Sequence, residues 1–119
     1  MAGPTVGRIR DRKAFQQLRQ PEGRGRRGPI RVAFVSFRPR RDEPELQIAY
    51  AIGRRCGNAV QRNRLRRRLR AAVREVAGGT RPGKYLVHGS AEVAGLGYPE
   101  MVRGVGQAMD QASNPDRRR

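Results

Sequence analysis

Apolar and polar positions alternate along the chain with two different periods, and the change of period marks out its elements. Ile9, Phe15 and Leu18 form a partial stripe that predicts a short helix from Arg8 to about Leu18. Pro21 and the run Gly23-Arg24-Gly25-Arg26-Arg27-Gly28 end it, and that run reads as a flexible basic loop. Ile30 to Phe37 reads as a strand with Ile30, Val32 and Phe34 on one face and Ala33, Val35 and Phe37 on the other. After a polar turn from Arg38 to Pro44, Leu46, Ile48, Tyr50 and Ile52 alternate with Gln47, Ala49 and Ala51. The two strands are expected to pair as an antiparallel hairpin.

Gly53 and Gly57 bracket an irregular turn, Arg54-Arg55-Cys56, and Asn58 is placed to cap a helix. That helix is expected from about Ala59 to Ala77, with Val60, Leu65, Leu69, Ala72, Val73 and Val76 buried and Gly78-Gly79 as its stop. Lys84 to His88 reads as a short strand. A last helix follows from Tyr98 to Gln111, with Pro99 in its first turn. Gly104 and Gly106 dilute its stripe of Met101, Val102, Val105 and Met109, which predicts a weak helix. The expected organisation is a flexible N-terminus over 1–7, one domain over 8–112 and a disordered basic tail over 113–119.

Composition adds a partner to this picture. The 119 residues carry a formal charge of +17, and 27 are basic against 10 acidic. Self-repulsion on that scale calls for an anionic partner. Every basic residue except Lys13 and Lys84 is Arg. A GC-rich genome would explain Arg over Lys, but not basic over acidic. With 36% hydrophobic residues and no Trp the core is small, and a domain of this size buries only about two-thirds of its unfolded surface. The single Cys56 fits a reducing, cytoplasmic compartment. No apolar run reaches the ~18 residues of a membrane span, and no apolar signal core follows Met1, so neither a membrane partner nor export is expected.

A protein catalytic site is hard to assemble from these residues. His88 is the single histidine and sits in a strand pattern, which suits a structural role. Cys56 has no histidine near it in sequence, and Asp42, Glu43 and Glu45 share one turn that reads as a surface loop. There is neither a zinc spacing nor a phosphate-binding loop. The segment Arg62 to Arg70 is different, being arginine or asparagine throughout except for Leu65 and Leu69. Those leucines lie four apart and can dock one helix face, which leaves guanidinium over most of the rest. Guanidinium is planar, permanently charged and able to bond two phosphate oxygens at once. A solvated charged face would carry interspersed acids, yet none lies between Glu45 and Glu75. The segment therefore reads as a nucleic-acid-binding helix. Charge alone leaves DNA and RNA open, although a strand instead of a helix before Asn58 argues against a major-groove helix-turn-helix.

Gly57-Asn58-Ala59-Val60, then Arg62-Asn63-Arg64, Arg67, Leu69 and Arg70 resemble the bacterial ribonuclease P protein subunit, which carries an Arg-Asn-Arg motif on a helix entered through a basic Gly-Asn-Ala-Val turn. Arg54-Arg55 stand where the family usually has two lysines. Arg8-Ile9-Arg10 with Phe15, Gln47 to Ile52, Tyr85-Leu86-Val87 and Leu96 to Glu100 are similar to its flanking elements. The resemblance implies an α+β fold: a two-layer α-β sandwich in the order α-β-β-β-α-β-α, ribosomal protein S5 domain 2-like, with a left-handed strand-helix-strand crossover. Periodicity supplies only three of its four strands, and the fourth is sought between Arg38 and Glu45 or later.

The resemblance also implies that the RNA subunit, with divalent Mg2+, removes the 5′ leader of precursor tRNA. The protein would then contribute no catalytic residue, and no cofactor is assigned to it. Its partners would be ribonuclease P RNA and precursor tRNA, with no obligate protein partner. By position, Arg54, Arg55, Asn58, Arg62, Asn63, Arg64, Arg66, Arg67, Arg68 and Arg70 would bind the catalytic RNA. Asn63 could contact a base edge or a 2′-OH, or merely fix the helix. Arg10, Phe15, Arg19 and Phe34 would line a leader cleft between the first helix and the sheet. Ordinary core packing competes for both phenylalanines, for Phe34 above all. Arg19 stands where the family often has a second aromatic, and Ser90-Ala91-Glu92 replaces an Arg-x-Pro segment. A structural RNA-binding protein, ribosomal or chaperone-like, is the alternative from composition. A nuclease acting alone would need an acidic or histidine cluster that the sequence lacks.

Overall fold

The computed structural model describes residues 5–114, so parts of both expected flexible ends, 1–4 and 115–119, lie outside the described residues. In chain order the elements are β1 (Val6–Arg8), α1 (Arg12–Gln17), β2 (Gly23–Arg27), β3 (Ile30–Val35), β4 (Leu46–Ile52), α2 (Ala59–Val76), β5 (Gly83–Gly89), α3 (Ala91–Ala94) and α4 (Tyr98–Ser113), with 3-10 turns at Arg54–Cys56 and Ala77–Gly79. The sheet order is β1-β4-β5-β3-β2. β1, β4 and β5 run parallel, whereas β3 is antiparallel to β5 and β2 to β3. The fold is therefore α+β, with α2 and α4 packed on one face of the sheet.

The two faces of the sheet bury different sets. Ile30, Val32, Phe34, Leu46, Ile48, Tyr85 and Val87 meet Leu65, Leu69 and Val73 of α2 and Met101, Val105 and Met109 of α4. On the opposite face Ala33, Val35 and Ala49 pack with Ile9, Ala14 and Leu18. The short α1 covers only part of that face, and the remainder stays open.

Several expectations are corrected. β3 and β4 do not form a hairpin, because β5 lies between them and pairs with both. Alternation fixes which face a side chain takes but says nothing about the neighbouring strand. Val6 and Gly7, expected to be loose, form an end strand on β4, with Leu46 N–H donating to the Thr5 carbonyl.

The Gly-Arg run is a strand and not a flexible loop. Gly23 and Gly25 face inward, and a Cβ at Gly25 would lie 1.9 Å from the Ala108 carbonyl oxygen of α4. Here glycine serves close approach between backbones. The turn into β3 places Gly28 at φ 56°, in the left-handed region. The missing strand was therefore upstream of β3.

The last helix is also firmer than its glycines suggest. Gly104 faces Ile30, whose Cδ1 would lie 2.7 Å from an added Cβ, so α4 can press onto β3. Five large or small apolar side chains, Met101, Val105, Ala108, Met109 and Ala112, are fully buried along it. Tertiary packing outweighs the propensity cost.

Candidate nucleic-acid interface

α2 starts at a complete capping box. The Gln61 N–H donates to Asn58 Oδ1 at 2.9 Å, and the Asn58 N–H donates to Gln61 Oε1 at 2.8 Å. Asn58, expected to touch RNA, thus has its side-chain oxygen committed to the helix. Arg54 and Arg55 are exposed on the 3-10 turn just before it. Leu65, Leu69, Ala72 and Val73 fix the roll of α2 against the sheet.

Val60 does not belong to that buried stripe, as it is 74% exposed. At about 100° per residue it lies roughly 140° from Leu65 and on the far side from Leu69. The outward face instead combines Val60, Asn63, Arg66, Arg67 and Arg70 around a shallow groove of about 450 Å3. Within it Arg66 Nη1 donates to Asn63 Oδ1 at 2.9 Å. Arg64 is exposed beside this face, while Arg62 is half-buried, its Nε buried with no hydrogen-bond partner among the described residues.

Arg68 does not face the groove. Its guanidinium donates to the Ala94 carbonyl at 3.1 Å and the Leu96 carbonyl at 2.6 Å, which ties α2 to the connection between α3 and α4. Tyr98 bonds the Glu75 carboxylate nearby, and its pKa is raised chiefly by that bond. Arg68, expected to bind RNA, thus has its guanidinium engaged with backbone carbonyls of the protein.

A second groove, of about 680 Å3, runs along β1 from α1 to α2. Arg8, Arg10 and Phe15 line it from the N-terminal side, and Arg66, Arg70 and Arg74 from α2. Phe15 is 42% exposed, an aromatic face open to a ligand. Tyr50 lies in the same groove with its pKa pushed up to about 12 by burial, against the pull of Arg70 and Arg74. It stays a neutral hydroxyl among guanidiniums. Arg66 and Arg70 line both grooves, so the arginine helix and the Phe15 cleft form one continuous surface.

The other two expected cleft residues go elsewhere. Phe34 is buried on the α2–α4 face, its ring 5.0 Å from that of Tyr85 and under the Arg81 guanidinium at 5.2 Å. Alternation along β3 puts it with Ile30 and Val32, away from α1. Arg19 lines a third hollow, of about 570 Å3, on the open sheet face. There β2, β3 and β5 place Arg26 opposite Arg31 and Arg31 opposite His88, with Arg24 close by. Like charges in register destabilise a sheet unless an anion joins them. His88 has its pKa lowered by burial first and by Arg31 second.

Sequence reasoning missed Arg8, Tyr50 and Arg74, and also Arg24, Arg26, Arg31 and His88. The signal for Arg24 and Arg26 was present as strict Gly-Arg alternation, a strand period. Ser90, at the departure from the family pattern, caps α3, its Oγ accepting from the Val93 N–H at 3.2 Å. Among the described residues no helix is long and apolar enough to cross a membrane.

Comparison with known proteins agrees with this geometry. The family model for Ribonuclease P matches residues 4–113. The chain is 33% identical over 106 residues to the ribonuclease P protein component of Symbiobacterium thermophilum, covering 88% of this chain and 90% of that protein. It is 32% identical over 111 residues to the one from a Synechococcus species, covering 92% and 84%. Among solved structures, the RNase P protein of Thermotoga maritima superposes with a TM-score of 0.66 at 19% identity, over 82% of this chain and 90% of that one. That of Staphylococcus aureus gives 0.66 at 14%, over 87% and 92%. At these identities the structures speak for the fold.

Proposed function

Because this chain belongs to the ribonuclease P protein family, the protein components of a tRNA-processing endoribonuclease, we propose that its surfaces divide two RNAs between them. The outer face of α2, with Asn63, Arg64, Arg66, Arg67 and Arg70 and with Arg54 and Arg55 at its start, grips ribonuclease P RNA. Phosphate charge supplies most of the affinity. The cleft along β1, with Arg10 and Phe15, and the cationic row on the open sheet face receive the single-stranded 5′ leader of precursor tRNA. Phe15 offers a stacking surface worth about 1–3 kcal/mol per base. The observation that supports this reading is the sharing of Arg66 and Arg70 between the two grooves, on which substrate and catalytic RNA would lie side by side.

In this reading cleavage of the phosphodiester bond is the work of the RNA, which also holds the Mg2+ that the reaction uses. Among the described residues no three His, Cys, Asp or Glu side chains come together as a metal site. The protein contributes binding, orientation and charge neutralisation. The test is reconstitution: the protein is mixed with bacterial ribonuclease P RNA and precursor tRNA at low Mg2+, and leader removal is timed. A rate above that of RNA alone is expected. No gain would leave a purely structural RNA-binding role, and cleavage without the RNA would place the chemistry on the protein.

A further inference from the structure

We propose that the groove on α2 is a nucleobase site, in which one unpaired base of the bound RNA lies on Val60 with its edge toward Asn63. The inference rests on the reading of α2 as the helix that grips ribonuclease P RNA. It goes beyond that reading by assigning a contact to a base where the arginines alone would imply only phosphate.

Val60 is the first reason. It is a β-branched apolar side chain, 74% exposed, on the face of α2 turned away from the core. Around it stand Asn63, Arg66, Arg67 and Arg70, enclosing about 450 Å3 of open groove. A phosphate gains nothing from an isopropyl group, whereas the flat apolar face of a base does. The arginines at Arg67 and Arg70 are then placed to hold the phosphates on either side of that base.

The second reason is the orientation of Asn63. Arginine has only hydrogen-bond donors, so the atom that receives Arg66 Nη1 at 2.9 Å must be the carboxamide oxygen. That bond settles the amide orientation: the oxygen faces Arg66, and the NH2 group points away from that bond, toward a ligand. A free asparagine reads adenine by using its oxygen and nitrogen together on N6 and N7. With one of the oxygen's two lone pairs engaged by Arg66, Asn63 presents its NH2 group most freely. The site therefore reads an acceptor on the base edge, which guanine O6 and N7, a uracil carbonyl and adenine N7 can each supply.

The experiment uses the full-length protein and intact bacterial ribonuclease P RNA. Dissociation constants are measured across a salt series for the wild type, Val60→Ala and Asn63→Ala, with base-specific chemical footprinting of each complex. Both side chains are exposed, so thermal unfolding should be unchanged. Binding should weaken roughly 5–10-fold for each variant with the salt slope intact, and one unpaired base should lose protection. Removing that base from the RNA should make wild type and Val60→Ala bind alike. Unchanged affinity and footprint would overturn the site, as would a reduced salt slope in Val60→Ala, or a footprint in which no single unpaired base changes. Failure of the wild type to bind the RNA at all would overturn the underlying reading instead.

Discussion

The guanidinium of Arg68 holds the carbonyl of Leu96 at 2.6 Å, and that of Ala94 at 3.1 Å with its other arm. Where Arg66, Arg67 and Arg70 of the same helix line its outer groove, this one is turned toward the protein. Hydrogen bonds from a charged donor are each worth about 1.5–3 kcal/mol, with partial solvent exposure favouring the low end. Arg68→Met should therefore lower unfolding free energy by roughly 1.5–3 kcal/mol in urea titrations. The salt slope of RNA binding should stay as it is. A slope smaller by most of a unit would mean that Arg68 reaches phosphate.

Arg67 is the contrasting case. It is exposed and lines the outer groove beside Asn63 and Arg70. Arg67→Ala should leave stability almost unchanged. It should reduce the slope of log affinity against log salt by about 0.7–0.9. Unaltered salt dependence would place this guanidinium in bulk water.

The two phenylalanines once grouped in one cleft should now separate. Phe15→Ala, at an open position, should weaken binding of leader-bearing precursor tRNA by about 1–3 kcal/mol and spare leaderless tRNA. Phe34→Ala removes a ring that is 1% exposed and should cost about 3–5 kcal/mol of stability. Equal losses on both tRNAs for Phe15→Ala would assign that ring to packing.

His88 should give stability and binding opposite pH slopes. Its native pKa lies below the ordinary 6.5 through burial and Arg31, and Arg19, Arg24 and Arg26 surround the same hollow. Just below pH 6.5 the unfolded chain takes up the proton more readily than the native protein does. Stability should therefore fall as pH drops from 6.5 toward the native pKa, and stay level above 6.5. A bound phosphate favours the imidazolium, so leader affinity should rise over the same interval. His88→Gln should remove both slopes; urea unfolding and leader binding between about pH 5 and 8 would show whether it does.

Gly25→Ala tests the sealed edge of the sheet. The new methyl would meet the Ala108 carbonyl oxygen at 1.9 Å and the Ala112 nitrogen at 2.8 Å, both backbone. Displacing α4 should cost about 1–3 kcal/mol, read by denaturant unfolding. Gly78→Ala, with nothing within 4 Å of the added atom, is the control and should be nearly silent.

Much of this architecture was legible in the sequence because it is local. The Leu65–Leu69 spacing, the Asn58 cap and the alternation from Leu46 to Ile52 each depend on residues a few positions apart. What escaped was tertiary. Arg68 is indistinguishable from Arg67 until Leu96 is brought beside it. Arg10 and Phe15 could be placed together, but not with Arg66 and Arg70, which reach their cleft only because β1 docks on β4. Phe34 was ambiguous because both faces of β3 are apolar. Gly25 looked like flexibility because the pressure of α4, 83 residues further on by the Ala108 contact, is invisible from its neighbours. Val60 was a different kind of miss, a helical angle that the sequence did contain.

The position of β5 has a consequence for the order in which this protein can assemble. β5 joins β4 to β3, and among the described residues no other strand links the two halves of the sheet. A chain that has emerged only as far as Thr80 holds a β2–β3 hairpin, a β1–β4 pair and the whole arginine helix, but not the strand whose backbone hydrogen bonds join them. During synthesis the most cationic segment is thus exposed before the platform that aims it exists. Long-range closure of this kind is the slow part of folding, and an RNA met in that interval would engage the helix before the sheet is complete.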